Sequence, residues 1–149
     1  MRRVARWGFW VGVVMMLAHL TGAGVLSGQQ PQVAVKSGWV KLPAPGETTA
    51  AAFVVVDNPT MYDTYLMSPS TDVAGKVEFR AKSQGTDVEG PARESVTVPA
   101  FESISMDPNG VHLLLSDLKR PLKEGETITL MLTNERSAVL KVSAVVRKE

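Results

Sequence analysis

Short stretches of alternating apolar and polar residues recur along this chain from about residue 33 onward. Val77 and Phe79 alternate with polar neighbours, and Val111, Leu113 and Leu115 form a similar series further on. Side chains two positions apart on a strand share a face, so each series predicts a strand with one face toward the core. Turn residues separate the stretches at intervals of roughly 8–12 residues, and no helical period persists after the N-terminus. The pattern predicts an all-β fold, an antiparallel β-sandwich of about eight strands.

Two segments near the middle of the chain carry more specific expectations. Residues 50–57 are apolar at nearly every position, which indicates a central strand buried on both faces. Residues 69–74 are polar and contain a proline, which favours a loop.

A turn signal lies further along, at Asp107-Pro108-Asn109-Gly110, where proline fixes φ and Asn-Gly supplies positive φ. Extended segments at 103–106 and 111–116 flank this turn. We therefore expect a hairpin in which Met106 lies across from His112.

The N-terminus has the three-part organisation of a secretory signal peptide. Arg2, Arg3 and Arg6 precede an apolar run at residues 9–20, and small residues follow at 21–24. The run is short for a membrane span, which needs about 20 residues. We expect residues 1–28 to hold the signal peptide and the start of a linker, and residues 29–149 to form one exported domain. Cleavage after Ala23 and retention as an uncleaved anchor both remain open, and membrane attachment is expected only in the second case.

Composition excludes several classes of function. The 149-residue chain has no cysteine, so disulfides, cysteine-based metal sites and thiol nucleophiles are ruled out. Its formal net charge is +1, and three of the basic residues lie before the apolar run, so a nucleic-acid-binding face is not expected. His112 is the one histidine outside the N-terminal segment, and the chain has neither a nucleophile elbow nor a glycine-rich phosphate loop. We therefore expect no enzymatic activity.

The chain also resembles a known family, the periplasmic Cu(A) chaperones, PCu(A)C. The family has similar runs that read roughly I-P-A-G, P-G-G-x-H-L-M-L and G-L-K-x-P-L-K-E-G-D. The matching segments here are PA at 99–100, DPNGVHLLL at 107–115, LKRPLKEGE at 118–126, AAAFVVVDN at 50–58 and AGKVEF at 74–79. The resemblance implies a cupredoxin-like or immunoglobulin-like sandwich. It also implies an exported, monomeric copper chaperone that binds Cu(I) and delivers it to respiratory oxidase assembly, with copper-site assembly proteins or an oxidase subunit as partners.

The family's copper site contains two histidines and two methionines, a donor set that suits soft Cu(I). Carried over by position, one histidine is retained as His112. The second histidine corresponds to Arg80, the methionine two residues after His112 corresponds to Leu114, and the loop methionine falls near Glu89. Met106 is a further candidate ligand because of the expected hairpin.

Two interpretations of this degenerate site follow. The chain is a copper chaperone that uses His112, with Met106 as a second donor, or it is a divergent periplasmic binding or scaffold module without metal. In the second case we expect His112 to be a strand histidine on a solvent-exposed or partly covered face.

Overall fold

The computed structural model describes residues 28–149, and the expected signal peptide at 1–27 lies outside them. The described residues form nine strands. In chain order these are β1 (Ala34–Lys41), β2 (Ala50–Asn58), β3 (Thr64–Thr71), β4 (Ala74–Ala81), β5 (Ser95–Val98), β6 (Glu102–Ser105), β7 (Val111–Leu118), β8 (Thr127–Asn134) and β9 (Val139–Arg147).

The strands form one nearly closed, barrel-like sheet, which confirms the all-β prediction. Neighbouring strands follow the order β4-β7-β2-β1-β9-β8-β3-β5 across the sheet. The short strand β6 also pairs with β2 and is not part of this order. All ladders are antiparallel except that between β1 and β9, which is parallel, so the sheet is mixed. No helix among residues 28–149 is long and apolar enough to cross a membrane.

β2 is the central strand, as its apolar composition predicts. Its even-numbered residues, such as Ala52 and Val54, face the interior. Leu113 on β7 pairs with Ala52 and is likewise fully buried, which confirms the predicted core face of β7. On the outer side, Phe53 is also buried because the Trp39 ring packs on it, with a centroid separation of 4.4 Å.

The predicted loop at residues 69–74 is wrong for its first half, because β3 continues to Thr71. The register of β3 against β8 shifts between Met67 and Ser70, and Ser68 has a φ of 47°. Proline lacks the N–H that a strand ladder needs, but a bulge has positions where none is needed. The bulge therefore lets Pro69 lie within a strand.

The predicted hairpin around residues 107–110 is also wrong, although the turn itself is present. Gly110 N–H donates to the Asp107 carbonyl over 3.2 Å, and this closes the turn. The two flanking strands, however, do not pair with each other. β6 and β7 follow one another along the same edge of β2, with Ser105 opposite Val55 and Leu113 opposite Ala52. The turn is therefore part of a short loop that connects two strands lying end to end along β2.

Candidate functional site

The outer face of β4 and β7 brings together the positions that the family resemblance singled out. Arg80 pairs directly with His112, and Glu78 pairs with Leu114. Directly opposed residues and residues two apart on a strand share a face, so these four side chains lie on one surface. The fold therefore brings together the positions that the resemblance matches to the family's ligands.

The loop between β4 and β5 completes this site. After Ala81 it returns along β4, where Gly90 N–H donates to the Ala81 carbonyl over 2.8 Å and Arg93 N–H donates to the Phe79 carbonyl over 2.9 Å. This return brings Glu89 over the end of the His112 ring. Its Oε1 lies 3.0 Å from His112 Nε2.

His112 is buried, with 1% of its surface exposed, so the expectation of an exposed or partly covered histidine is wrong. Glu89 covers one end of the ring, and the centroid of the Phe53 ring lies 6.0 Å away. At the other end of the ring, Nδ1 lies 3.0 Å from the carbonyl oxygen of Gly110, in the loop between β6 and β7.

The two hydrogen bonds of His112 occupy both ring nitrogens. A carbonyl oxygen only accepts, so Nδ1 carries a hydrogen that it donates to Gly110. Glu89 Oε1 occupies the direction in which the Nε2 lone pair would face a metal ion. As the chain is folded, a metal ion could reach Nε2 only after Glu89 moved away.

Arg80 holds the same loop through its guanidinium group. Nη1 donates to the Gly90 carbonyl and Nη2 to Glu78 Oε2, each over 2.8 Å. Glu78 also pairs with Lys76 over 2.7 Å. The hydrogen bond from Lys76, followed by that from Arg80, lowers the pKa of Glu78 below its ordinary value. Arg80 Nε is buried and has no hydrogen-bond partner in the described part of the chain, which costs free energy.

Met106 is not part of this site. Its N–H donates to the Val54 carbonyl over 3.0 Å, and its side chain is buried in the core. Val54 and Met106 face the interior, whereas Phe53 and His112 face outward. The fold thus separates Met106 from His112, and it joins His112 to Arg80, Glu89 and Leu114.

The side chains around His112 do not fit Cu(I). Cu(I) takes imidazole and thioether donors. Here the single imidazole is fully hydrogen-bonded, Leu114 offers no donor atom, Glu89 offers only oxygen, and Arg80 cannot deprotonate to become a ligand. No group of three or more His, Asp or Glu side chains within residues 28–149 is arranged to hold a metal ion.

Sequence reasoning missed two members of the network, Glu78 and the Gly90 carbonyl. The Glu78-x-Arg80 spacing was a usable signal, since residues two apart on a strand share a face and opposite charges there can pair. Nothing in the sequence indicates the Gly90 contact, which depends on the path of the loop.

The profile of one protein family matches most of the described chain. That family is described as "Putative lipoprotein LpqE-like", and the match covers residues 33–146. The chain belongs to the LpqE-like family. One curated relative, "Putative lipoprotein Lxx21020" of Leifsonia xyli subsp. xyli (strain CTCB07), is 26% identical over 125 residues, which are 82% of this chain and 74% of the relative.

Solved structures show that this LpqE-like chain has the fold of PCuAC domains, as the sequence resemblance predicted. The solution structure of Cu(I)-DR1885 from Deinococcus radiodurans is 27% identical, with a TM-score of 0.67 over 83% of this chain and 84% of that one. The copper-bound PCuAC domain from PmoF2 is 19% identical, with a TM-score of 0.68 over 80% of this chain and 97% of that one.

Proposed function

We propose that this LpqE-like chain is an exported, non-enzymatic PCu(A)C-like module that acts by binding a partner protein and does not carry Cu(I). The observation that carries this proposal is the hydrogen bonding of His112, whose two ring nitrogens are held by Gly110 and Glu89 at 3.0 Å each. The one retained ligand of the family site is therefore already in use.

The other contacts at the site support the same conclusion. To release His112 to a metal ion, the Glu89 contact must break, and Arg80 then leaves a permanent positive charge beside the cation. The guanidinium and the imidazole both hold the loop that contains Glu89 and Gly90. The site thus has a structural use, the fixing of a loop, at the place where the family binds copper.

Export is the part of the proposal that rests on the N-terminal pattern and on the relatives. The arginines and the apolar run at 9–20 are typical of a secretory signal. The word "lipoprotein" in the descriptions of the family and of the Leifsonia protein supports a location outside the cytoplasm or at a membrane. We propose a periplasmic or exported monomer.

A second candidate function is Cu(I) binding and delivery to respiratory oxidase assembly. The 27% identity to a protein solved with Cu(I), together with the retained His112, favours this candidate. It requires Glu89 to release Nε2 when copper arrives.

Competition between the full chain and a chromophoric Cu(I) chelator tests the two functions. We expect no stoichiometric Cu(I) binding, and a titration that is unchanged in His112→Gln. Met61→Leu is a matched control, because Met61 is exposed on the loop between β2 and β3, whereas the site lies on β4 and β7. Tight one-to-one binding that is lost in His112→Gln and kept in Met61→Leu would overturn the proposal in favour of copper delivery.

A further inference from the structure

The sheet does not close beyond β5, its last strand, and β6 lies across from β5 without pairing with it. β5 pairs only with β3, and β6 pairs only with β2. A short turn joins these two strands, with Glu102 N–H donating to the Pro99 carbonyl over 3.3 Å, yet no ladder forms between them. Each strand therefore has one edge without a neighbouring strand, and the two edges face a common groove. We call this groove the β5–β6 seam.

The register shows which main-chain groups of β6 point into the seam. Met106 N–H donates to Val54 on β2, and Ile104 pairs with Val56 two positions away. Hydrogen-bonding direction alternates along a strand. The N–H and C=O groups of Ser103 and Ser105 therefore point away from β2 and into the seam.

The same reasoning applies to β5 on the opposite wall. Tyr65 N–H donates to Glu135 Oε2 over 2.9 Å and so points away from β5. Tyr65 pairs with Thr97, which makes this a pair without hydrogen bonds between β3 and β5. The main-chain groups of Thr97, and of Ser95 two positions before it, therefore also point into the seam.

Apolar side chains form the floor of the seam, and one cation lies at the end away from the turn, where its N–H donates to the Phe79 carbonyl on β4. Val96, Ile104, Met106 and Val111 line a cavity of about 400 Å³. Arg93, the charged residue of the lining, is exposed and has no ion pair within residues 28–149. The lining thus combines unpaired main-chain groups, an apolar floor and a positive charge.

The closed end of the seam presents an apolar tip. Phe101, in the turn between the two strands, has 73% of its surface exposed and a φ of 58°, which is costly for an aromatic residue. Its N–H donates to the Thr60 carbonyl, so the exposed Met61 and Tyr62 lie on the adjoining loop. Exposed apolar groups held on ordered loops commonly mark interaction surfaces.

We infer that the β5–β6 seam binds an extended peptide segment of a partner protein, which adds as a strand along one or both free edges. Alternate apolar side chains of the segment would face the floor, and an acidic side chain or a terminal carboxylate would meet Arg93. This inference rests on the proposed partner-binding function and names the chemistry of the partner.

The free edges determine this choice of occupant. Strand addition satisfies main-chain donors and acceptors with main-chain partners, as in other domains that bind extended peptides at a sheet edge. A small apolar ligand would leave those groups without partners, which is unfavourable in a desolvated groove. The edges lie in a recess between two strands, so a second copy of the barrel cannot bring its own recessed edge against them.

Amide hydrogen exchange on the full chain, followed by NMR, measures the edges directly. In the free protein we expect the amides of Ser95, Thr97, Ser103 and Ser105 to exchange at least about tenfold faster than that of Ile104, which faces β2. The probe is a phage-displayed random peptide library, from which the selected peptides are synthesised. A bound peptide is expected to slow exchange at the amides of at least one wall. Peptides that leave all four amides unprotected, or a library that yields no binder, would overturn the inference.

Two types of variant complete the test. Thr97→Pro and Ser105→Pro remove N–H groups that point into the seam, and edge strands tolerate proline where the N–H is unpaired. Each is expected to weaken a selected peptide that pairs with that wall by at least about tenfold, and Arg93→Gln to weaken acidic peptides. Arg136→Gln, on an exposed loop after β8, is the matched control and should have no effect. Affinities that are unchanged in both proline variants would also overturn the inference.

The Cu(I) titration is independent of these measurements. A chain that binds neither Cu(I) nor peptide would therefore contradict peptide binding at the seam and still support the proposal that the chain does not carry copper.

Discussion

Asn58 and His112 are the most completely buried of the polar residues within 28–149, and they are held in different ways. The two Nδ2 hydrogens of Asn58 are shared among the carbonyls of Tyr62, Val98 and Pro99, at 2.8–3.1 Å. Its Oδ1 accepts from Thr60, both from the main chain and from the hydroxyl. All of these groups are neutral and most belong to the main chain. His112 instead bonds one carbonyl and one carboxylate, beside the charged pair of Arg80 and Glu78.

Asn58 is held by the backbone, whereas His112 is held largely by side chains that substitutions can replace. The main-chain partners of Asn58 exist whatever side chains surround it, so this residue fixes the loop after β2 and the turn after β5. The partners of His112 at Nε2 and across the ladder are side chains, at positions that the sequence resemblance matches to metal ligands of the PCu(A)C family. A few substitutions can therefore change the chemistry at His112 without altering the backbone.

The strongest test of this comparison is to restore the copper ligands. Arg80→His with Leu114→Met supplies an imidazole opposite His112 and a thioether on the same face. Adding Glu89→Met removes the carboxylate that holds Nε2 and supplies a second thioether. We expect the triple variant to bind Cu(I) about a thousandfold more tightly than the unmodified chain, equivalent to ~4 kcal/mol. Competition with a chromophoric chelator measures the change.

The double variant separates the two contributions. If Glu89 holds His112 as the geometry indicates, the double variant should bind Cu(I) more weakly than the triple variant. The triple variant combined with His112→Leu is the control, and it should lose most of the gain. A triple variant with no higher affinity than the unmodified chain would mean that this face cannot be converted.

Stability measurements on single variants test which of the two buried side chains contributes more to the stability of the fold. Asn58→Ala leaves three carbonyls and an N–H without their partner, and we expect it to cost about 3 kcal/mol. His112→Leu, which fills most of the buried space of the ring, should cost less, about 1.5 kcal/mol, because Glu89 lies near the surface and water can solvate it. Urea unfolding followed by fluorescence gives both values. A larger cost for His112→Leu than for Asn58→Ala would show that the site, and not the loop at Asn58, is the more important for the fold.

The sequence predicted much of the fold because strands carry local signals. Alternation around Val77 and Phe79, and the apolar run of β2, are properties of neighbouring residues, and both strands were found where expected. The errors concern long-range arrangement. Pro69 is tolerated only because of a bulge against β8, and the collinear arrangement of β6 and β7 depends on how both pair with β2. A turn signal such as Asn109-Gly110 predicts a reversal of the chain without specifying what the next strand pairs with.

The sequence predicted which strand positions lie beside His112, but not their contacts, and it wrongly placed Met106 among them. Family spacing identified Arg80, Glu89 and Leu114 as the neighbours of His112, and the fold does bring them together. The burial of His112 could not be foreseen, because it depends on the path of the loop between β4 and β5. The predicted metal role of His112 remains for the Cu(I) titration to decide.

The smallest expected effect is the pH dependence of stability that arises from Glu78, in the charged network beside His112. Hydrogen bonds from Lys76, and then from Arg80, lower the pKa of Glu78 from its ordinary value of 4.5. A carboxylate with a lowered pKa stabilises the folded state above its ordinary pKa, and this contribution is lost as the pH falls through the lowered value. The unmodified chain should therefore exceed Glu78→Gln in melting temperature at neutral pH, and the difference should shrink as the pH falls below about 4.5.

Asp57→Asn, beside Asn58, should change stability in the same direction, because hydrogen bonds from Ser103 and then Lys36 lower the pKa of Asp57. Both effects should be small, since water screens ion pairs near the surface. A difference for Glu78→Gln that grows as the solution is acidified would show that Lys76 and Arg80 do not stabilise its charged form.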